Sequence, residues 1–311
     1  MILITGGLGF IGSHTTRALL ELGESCVLAQ RRAADAPELI SGELGRGVFV
    51  EQADVTDPNA LREIGERHTI TGIVHLAGAG LGADPFSGAR AGTEGLFNVL
   101  RAASEWQVPR VGVASTIGVY GGVVADSPLH ENLPLPMTAD HAIPTSKKVA
   151  ELLAGYVGGA AGIEVISFRI AAAWGPLGRP VSPFFAAPQL VHAAVQDQAL
   201  DTPAYAGDGI DMIYVRDCGR AIALLQVAER LNHRVYNVAT GRATTNKELA
   251  EAIEKAIPGT RTELRDGRSP AGPGRDIYLD ITRIRRETGF QPAYDTERAV
   301  ADYVGWLQAG N

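Results

Sequence analysis

Two hydrophobic periods alternate through the first half of the chain. Short apolar runs at 2–4, 25–29, 47–52, 70–76, 110–114 and 164–169 read as buried strands. Between them lie helical patterns, at about 58–67, 88–106 and 144–160. The first helix follows the first strand at once: Ile11, Thr15, Ala18, Leu19 and Leu22 share one face, and Gly23 ends it. Strands that alternate with helices predict an α/β fold, a doubly wound parallel sheet covered on both faces. In such a sheet, ligands bind at the carboxyl ends of the strands, where the strand order reverses.

The rhythm changes after Arg169. Pro176, Pro180, Pro183 and Pro188 punctuate an irregular stretch, with a helix expected near 188–198. The runs 212–215 and 234–238 are predicted to return to the sheet, 246–256 reads as a helix, and a Pro/Gly-rich loop spans 266–275. The pattern divides the chain into a sheet domain, 1–170 plus 210–243, and a smaller C-terminal region, 171–209 plus 244–311. The second region is expected to close over the carboxyl edge of the sheet and to supply a substrate pocket.

The junction of the first strand and helix carries the clearest chemistry. It reads Gly6-x-x-Gly9-Phe10-Ile11-Gly12. Backbone N–H groups and the positive end of the helix dipole meet there and favour a phosphate. Glycine is needed where the chain turns sharply and where a pyrophosphate comes close to the backbone. A glycine triplet alone carries little weight in a chain with 37 glycines. Its place between strand and helix makes it a dinucleotide site.

The end of the second strand bears on which dinucleotide. An acidic residue there would grip the ribose 2′-OH of NAD. This chain has Gln30-Arg31-Arg32 instead, and two guanidiniums suit a 2′-phosphate, so NADP is expected over NAD. A solvated basic turn is the competing reading. Asp54, with Val55, is placed to accept from the adenine amino group, or else to cap the helix near Pro58, a role Asp57 could equally fill. The small residues of His75-Leu76-Ala77-Gly78 would let the chain pass close to the cofactor, with His75 itself a core residue.

Bulk properties narrow the partners. The formal charge of −7 and the absence of a Lys/Arg block argue against nucleic acid. No secretory signal pattern is read at 2–4, since glycines follow at once, and the weakly polar stretch 152–163 is too short to span a bilayer. Cys26 and Cys218 are isolated, lack metal-ligand spacing and read as buried thiols, which fits a cytoplasmic protein with no metal site.

Further motifs follow in order: Ser115-Thr-x-x-Val-Tyr-Gly121, Ser146-Lys147, Arg169 with Trp174-Gly-Pro176, Gly207-Asp-Gly209, Ile213-Tyr-Val-x-Asp217 and Tyr236-Asn-Val238. With Thr5-Gly-Gly-x-Gly-x-Ile-Gly12, Asp54-Val55 and His75-Leu-Ala-Gly78, the ordered set resembles the extended short-chain dehydrogenase/reductase superfamily, in its NAD-dependent epimerase/dehydratase branch. The resemblance covers essentially the whole chain and implies a Rossmann fold. It also implies a homodimer, paired through the helices near 88–106 and 144–160.

In that family a Ser/Thr orients the substrate oxygen, a Tyr exchanges its proton, and a Lys lowers the Tyr pKa and holds the nicotinamide ribose. Thr116 matches the Ser/Thr, with Ser115 beside it, and Lys147 matches the Lys. The Tyr position, four residues before Lys147, holds Ile143, which cannot exchange a proton. His141 is then the candidate proton carrier, since histidine titrates near neutrality. Tyr120 and Thr145 are weaker candidates, and His141 could instead be a solvated loop residue. Substrate or water could also supply the proton.

Other departures concern the substrate. Sugar-nucleotide members carry an Asn where this chain has Ala172, and an Arg after Gly-Asp-Gly that is missing from Ile210-Asp211-Met212. Arg275 could serve as a second phosphate ligand or lie in a surface loop. Tyr120, Ile143 and Trp174, with Phe184, Phe185 and Tyr205, could shape a smaller or more apolar pocket. The expectation is an NADP-dependent oxidoreductase or epimerase acting at a hydroxyl/carbonyl carbon of a small, non-nucleotide substrate. The alternatives are a catalytically silent NADP-binding sensor or scaffold, and a lyase or isomerase on the same fold.

Overall fold

The computed structural model describes residues 1–78 and 84–310. Its first half runs β1 (Ile2–Thr5), α1 (Phe10–Glu21), β2 (Cys26–Gln30), α2 (Glu38–Ser41), β3 (Val48–Gln52), α3 (Pro58–Arg67), β4 (Gly72–His75), α4 (Pro85–Glu105), β5 (Arg110–Thr116) and, after a single 3₁₀ turn at Ile117–Tyr120, α5 (Ala142–Ala161). The second half runs β6 (Glu164–Ile170), β7 (Ala172–Trp174), α6 (Ala187–Gln196), β8 (Gly209–Ile210), β9 (Met212–Tyr214), α7 (Val215–Val227), β10 (Val235–Val238), β11 (Thr244–Thr245), α8 (Asn246–Ala256), α9 (Thr282–Thr288) and α10 (Thr296–Gln308). Among the described residues, no helix is long and apolar enough to cross a membrane.

Seven strands form one parallel sheet in the order β10-β6-β5-β4-β1-β2-β3. The order reverses between β1 and β4, so a crevice opens above their carboxyl ends. Alternate residues of one strand serve opposite faces. Ile4 and Leu28 point into the layer that holds Leu19 of α1 and Ile222 of α7. Leu3 and Val27 point into the layer of α3, α4 and α5, with Leu61, Val99 and Ala154. A third core joins α6, α8 and α10 through Leu190, Leu249 and Val300, and includes Trp174.

Several boundaries differ from the sequence reading. The run at 212–215 does not rejoin the main sheet. It forms β9, pairs in parallel with β7, and gives way to α7 at Val215. A single strand-like apolar run there hides a strand followed directly by a helix, which periodicity over four residues cannot separate. Leu22 is not on the buried face of α1; it stands beyond the last turn and is 45% exposed. The face is completed instead by small residues. Gly219 of α7 crosses so close to α1 that a Cβ there would lie 2.5 Å from the His14 carbonyl carbon. The carboxyl end of α7 is closed by Arg110, whose Nη1 donates to the Leu225 and Gln226 carbonyls at 3.1 Å each, while its Nε donates to Glu164. A buried cation at a helix carboxyl end satisfies both the orphan carbonyls and the dipole.

Candidate functional site

The glycine turn is built by exclusion. Gly6 adopts φ +73°, and a Cβ at Gly12 would lie 2.1 Å from the Gly6 carbonyl oxygen. No side chain fits between turn and helix, so the backbone stays bare. Gly9 stands at the N-cap of α1 without a side-chain cap, so the first-turn N–H groups at Phe10 and Ile11 keep their capacity for an anion. This geometry fits a dinucleotide pyrophosphate.

A cleft of about 430 Å³ opens beside the turn, with Gly6, Gln30, Arg31, Asp54, Ala77 and Gly78 among its walls. Asp57, not Asp54, caps α3, accepting from the Asn59 N–H at 2.9 Å. Asp54 Oδ1 accepts from the Thr56 N–H at 2.9 Å and the Thr56 hydroxyl at 2.8 Å. Those bonds, the backbone one first, and the Arg31 charge hold its carboxyl below the usual range. Val55 packs under α4 at Gly95, and its carbonyl accepts from Asn98. Arg31 and Arg32 are both exposed, and of the two only Arg31 lines the cleft.

The floor is His75-Leu76-Ala77-Gly78. The Thr5 hydroxyl lies 2.7 Å from His75 Nδ1 and accepts from the Ala77 N–H at 3.2 Å. Burial first, and then the Lys147 charge, push the His75 pKa down to about 3. His75 is therefore a neutral core residue that fixes the strand end. Lys147 reaches across from α5: a Cβ placed on Gly78 would lie 3.7 Å from its Nζ. Burial lowers its pKa, because the ammonium loses hydration there.

Thr116 stands at the end of β5, where its hydroxyl accepts from the Gly118 N–H at 3.2 Å. A Cβ on Gly118 would lie 3.4 Å from Thr116 Cγ2 and 3.6 Å from Pro144 Cβ, so Thr116 adjoins the first turn of α5. Ile143 occupies that turn, half-buried, one helical turn before Lys147. His141 stands at the N-cap of α5, exposed, and its ring stacks on Phe184 at 5.1 Å. That contact bridges α5 to the segment before α6.

Three expected substrate or catalytic residues are placed elsewhere. Ser115 is buried, and its hydroxyl donates to Glu151. Tyr120 is buried too; its hydroxyl donates to Asn237 Oδ1 at 2.8 Å and accepts from Arg169 Nη1 at 3.0 Å. The Ser115 and Tyr120 protons are thus both directed into a packed network, to Glu151 and Asn237. Trp174 is 3% exposed and edge-on to Tyr214 and Tyr303, a core position of the C-terminal helices. Phe185 packs against the same core, while Tyr205 pairs with Arg265. Arg275 lies over the segment after Tyr120, donating to the Val123 carbonyl at 3.3 Å. Among the described residues no cluster of three metal-binding side chains forms.

The sequence reading missed the Glu151–Arg169 pair that holds this region. Arg169 Nε and Nη2 donate to Glu151 at 3.0 and 2.8 Å, and Nη1 donates to the Glu131 carbonyl at 3.3 Å. Its signal was available: Glu151 follows Lys147 by four residues on α5, and an Arg closes the buried strand β6.

Comparison with known proteins bears on the same regions. The sequence profile of the NAD dependent epimerase/dehydratase family matches residues 2–239. The chain is 28% identical to a dTDP-glucose 4,6-dehydratase of an Actinoplanes species, covering 99% of this chain and 98% of that protein. It is 25% identical to a putative UDP-glucose 4-epimerase of Methanocaldococcus jannaschii, covering 100% and 99%. The crystal structure of a UDP-glucose 4-epimerase with UDP-glucose from Thermotoga maritima superposes with a TM-score of 0.84 at 23% identity, over 99% of both chains. A dTDP-glucose 4,6-dehydratase from Bacillus anthracis in complex with NAD superposes with a TM-score of 0.82 at 20% identity, over 100% of this chain and 97% of that one. The chain belongs to the NAD dependent epimerase/dehydratase family and is an enzyme of the extended short-chain dehydrogenase/reductase type.

Proposed function

We propose that this enzyme uses NADP(H) to oxidise or reduce a hydroxyl/carbonyl carbon, as an oxidoreductase or epimerase, on a small substrate without a nucleotide diphosphate. The observation that carries the reading is the cleft. Gly6 of the bare turn, Arg31 and Gly78 line it, and Lys147 Nζ stands beside Gly78. When bound, the dinucleotide supplies a hydride acceptor or donor. Phe10, Ile11 and Gly12 would hold its pyrophosphate, Asp54 its adenine, and Lys147 its nicotinamide ribose. Thr116 would hold the substrate oxygen, and Ile143 would stand where related enzymes use a tyrosine. His141, two residues upstream, is the proposed proton carrier. Residues 1–170 plus 210–243 would bind the dinucleotide, and 171–209 plus 244–311 the substrate. The relatives named above act on nucleotide sugars and the B. anthracis structure holds NAD, so NADP and the smaller substrate are specific to this reading.

The substrate class is supported by what surrounds Gly207-Asp208-Gly209. Asp208 accepts from the Ser269 N–H at 2.9 Å, and Arg268 pairs with Asp276 at 2.8 Å. The link Ile210-Asp211-Met212 carries no cation, and Asp211 is fully buried on the Thr240 and Gly241 N–H groups. Asp208 and Asp211 are held by backbone N–H groups, and the nearby Arg268 is already paired with Asp276. UDP titrated calorimetrically into the NADPH-loaded enzyme should give no saturable heat at millimolar concentration. A Kd near 1 μM, about −8 kcal/mol, would overturn the small-substrate reading.

A homodimer is part of the proposal. Val149, Leu152 and Tyr156 form a stripe along α5 at helical spacing, 42%, 61% and 77% exposed, and α4, which packs against α5, exposes Phe97. Light scattering should give twice the 32.8 kDa chain mass. A monomer would refute it.

A further inference from the structure

The chain leaves β7 through a corner that few residues tolerate. Gly175 adopts φ +128°, and Leu177, which carries a side chain, adopts φ +68°. The Gly178 N–H closes the corner on the Gly175 carbonyl at 3.0 Å. A Cβ on Gly175 would lie 2.7 Å from Tyr214 Cε2, and one on Gly178 would lie 3.1 Å from Phe10 Cε2. The corner therefore rests on Phe10, the first residue of α1, beside the glycine turn. One helical turn further along α1, His14 Nε2 meets the Pro176 carbonyl at 3.1 Å.

Beyond Gly178 the chain has few holds. Arg179, Pro180, Val181, Pro183 and Phe184 are exposed, and the Phe184 N–H is spent locally on the Ser182 hydroxyl at 3.2 Å. The next fixed point is the Phe184 ring, which lies on the His141 ring with centroids 5.1 Å apart and planes at 21°. His141 is anchored in turn, since its carbonyl accepts from the Thr145 hydroxyl at 2.9 Å. The two holds stand on opposite faces of the sheet. Phe10 opens α1, which packs with α7, whereas His141 caps α5, which packs with α4. Both helices follow their strands at the carboxyl edge, and only β4 lies between β1 and β5. The segment between the holds therefore crosses that edge above the crevice, on the side where Lys147 Nζ stands beside Gly78.

We infer that residues 176–184 form a strap across the dinucleotide crevice, hinged at Gly175–Gly178 and latched by the Phe184–His141 stack, and that opening of this latch governs cofactor release. The inference rests on the dinucleotide reading of the cleft and is the same for NADP and NAD. A segment held at two points opens without unfolding the sheet beneath it. A single aromatic pair is strong enough to bias such a segment and weak enough to let it open. The stack covers a face of the His141 ring and leaves the ring nitrogens at its edge, so one residue can serve both as latch and as proton carrier.

Two measurements test it: amide hydrogen exchange on the cofactor-stripped enzyme, and stopped-flow release of bound NADPH or NADH into excess oxidised cofactor. Phe184 is 50% exposed, so its truncation leaves the core intact. Phe184→Ala should speed both exchange over 177–186 and release by about threefold to tenfold, the worth of one aromatic pair. Phe184→Tyr keeps the ring and should restore both. Phe184→Ala combined with His141→Ala should release no faster than the faster single variant, because the pair is one interaction. Unchanged exchange in Phe184→Ala overturns the latch, and so do fully additive effects on release. Faster exchange with unchanged release overturns its control of the cofactor and leaves the dinucleotide reading standing. If wild-type protein binds neither dinucleotide, that reading falls and the release role falls with it.

Discussion

Lys147→Ala should lower cofactor-dependent turnover by at least about 100-fold, the size expected when a reacting group is misplaced by about an ångström. Lys147 reaches from α5 to the segment after β4, with Nζ beside Gly78. Its surroundings strip water from the ammonium and lower its pKa, and no hydrogen-bond acceptor is paired with it among the described residues. A half-buried ammonium in that state gains most from ribose hydroxyls placed against it. Lys147→Met keeps the length and apolar packing but removes the donors. The two variants should therefore be alike in NADPH oxidation by a panel of small ketones and aldehydes, and both should bind NADPH more weakly. Turnover equal to wild type in Lys147→Met would remove Lys147 from the mechanism.

Arg169→Ala should cost about 3–5 kcal/mol of stability, the range for breaking a buried ion pair from one side. Arg169 is 4% exposed. It donates to both Glu151 oxygens, to the Tyr120 hydroxyl and to the Glu131 carbonyl, and its guanidinium also lies 4.9 Å from the Tyr120 ring centre. Removing it strands the Glu151 carboxylate with only the Ser115 hydroxyl. Ser115 and Tyr120 flank Thr116 in sequence, so the same network holds the end of β5 in place. The variant should therefore lose urea stability and, where it still folds, hold a substrate oxygen less well at Thr116. A loss below about 1 kcal/mol would place the pair among ordinary surface ion pairs.

These two positions differ in how readable they were. Lys147 and Thr116 belong to local motifs whose spacing is fixed by one helix or one strand end, and sequence spacing reports such geometry directly. The glycine turn was legible for the same reason, since a strand, a turn and a helix N-terminus occupy thirteen consecutive residues. Tyr120 and Ser115 were misjudged because burial is decided by partners far away in the chain, Asn237 and Glu151. Trp174 lines a cavity with Tyr214, Arg242 and Tyr294 rather than the dinucleotide cleft, and Tyr303 and Tyr214 pack edge-on against it. α7 escaped notice because its apolar face continues β9 without a break at Tyr214–Val215. Phe184 was visible only as an aromatic of the pocket. That its ring meets His141 depends on where the strap comes down on α5, which no local pattern encodes.

The most direct test of the account is a calorimetric titration of the cofactor-stripped wild-type protein with NADPH, and with NADH as the comparison. NADPH should bind at least about tenfold tighter, a difference of about 1.4 kcal/mol. Equal or tighter binding of NADH, or binding of neither, would contradict it.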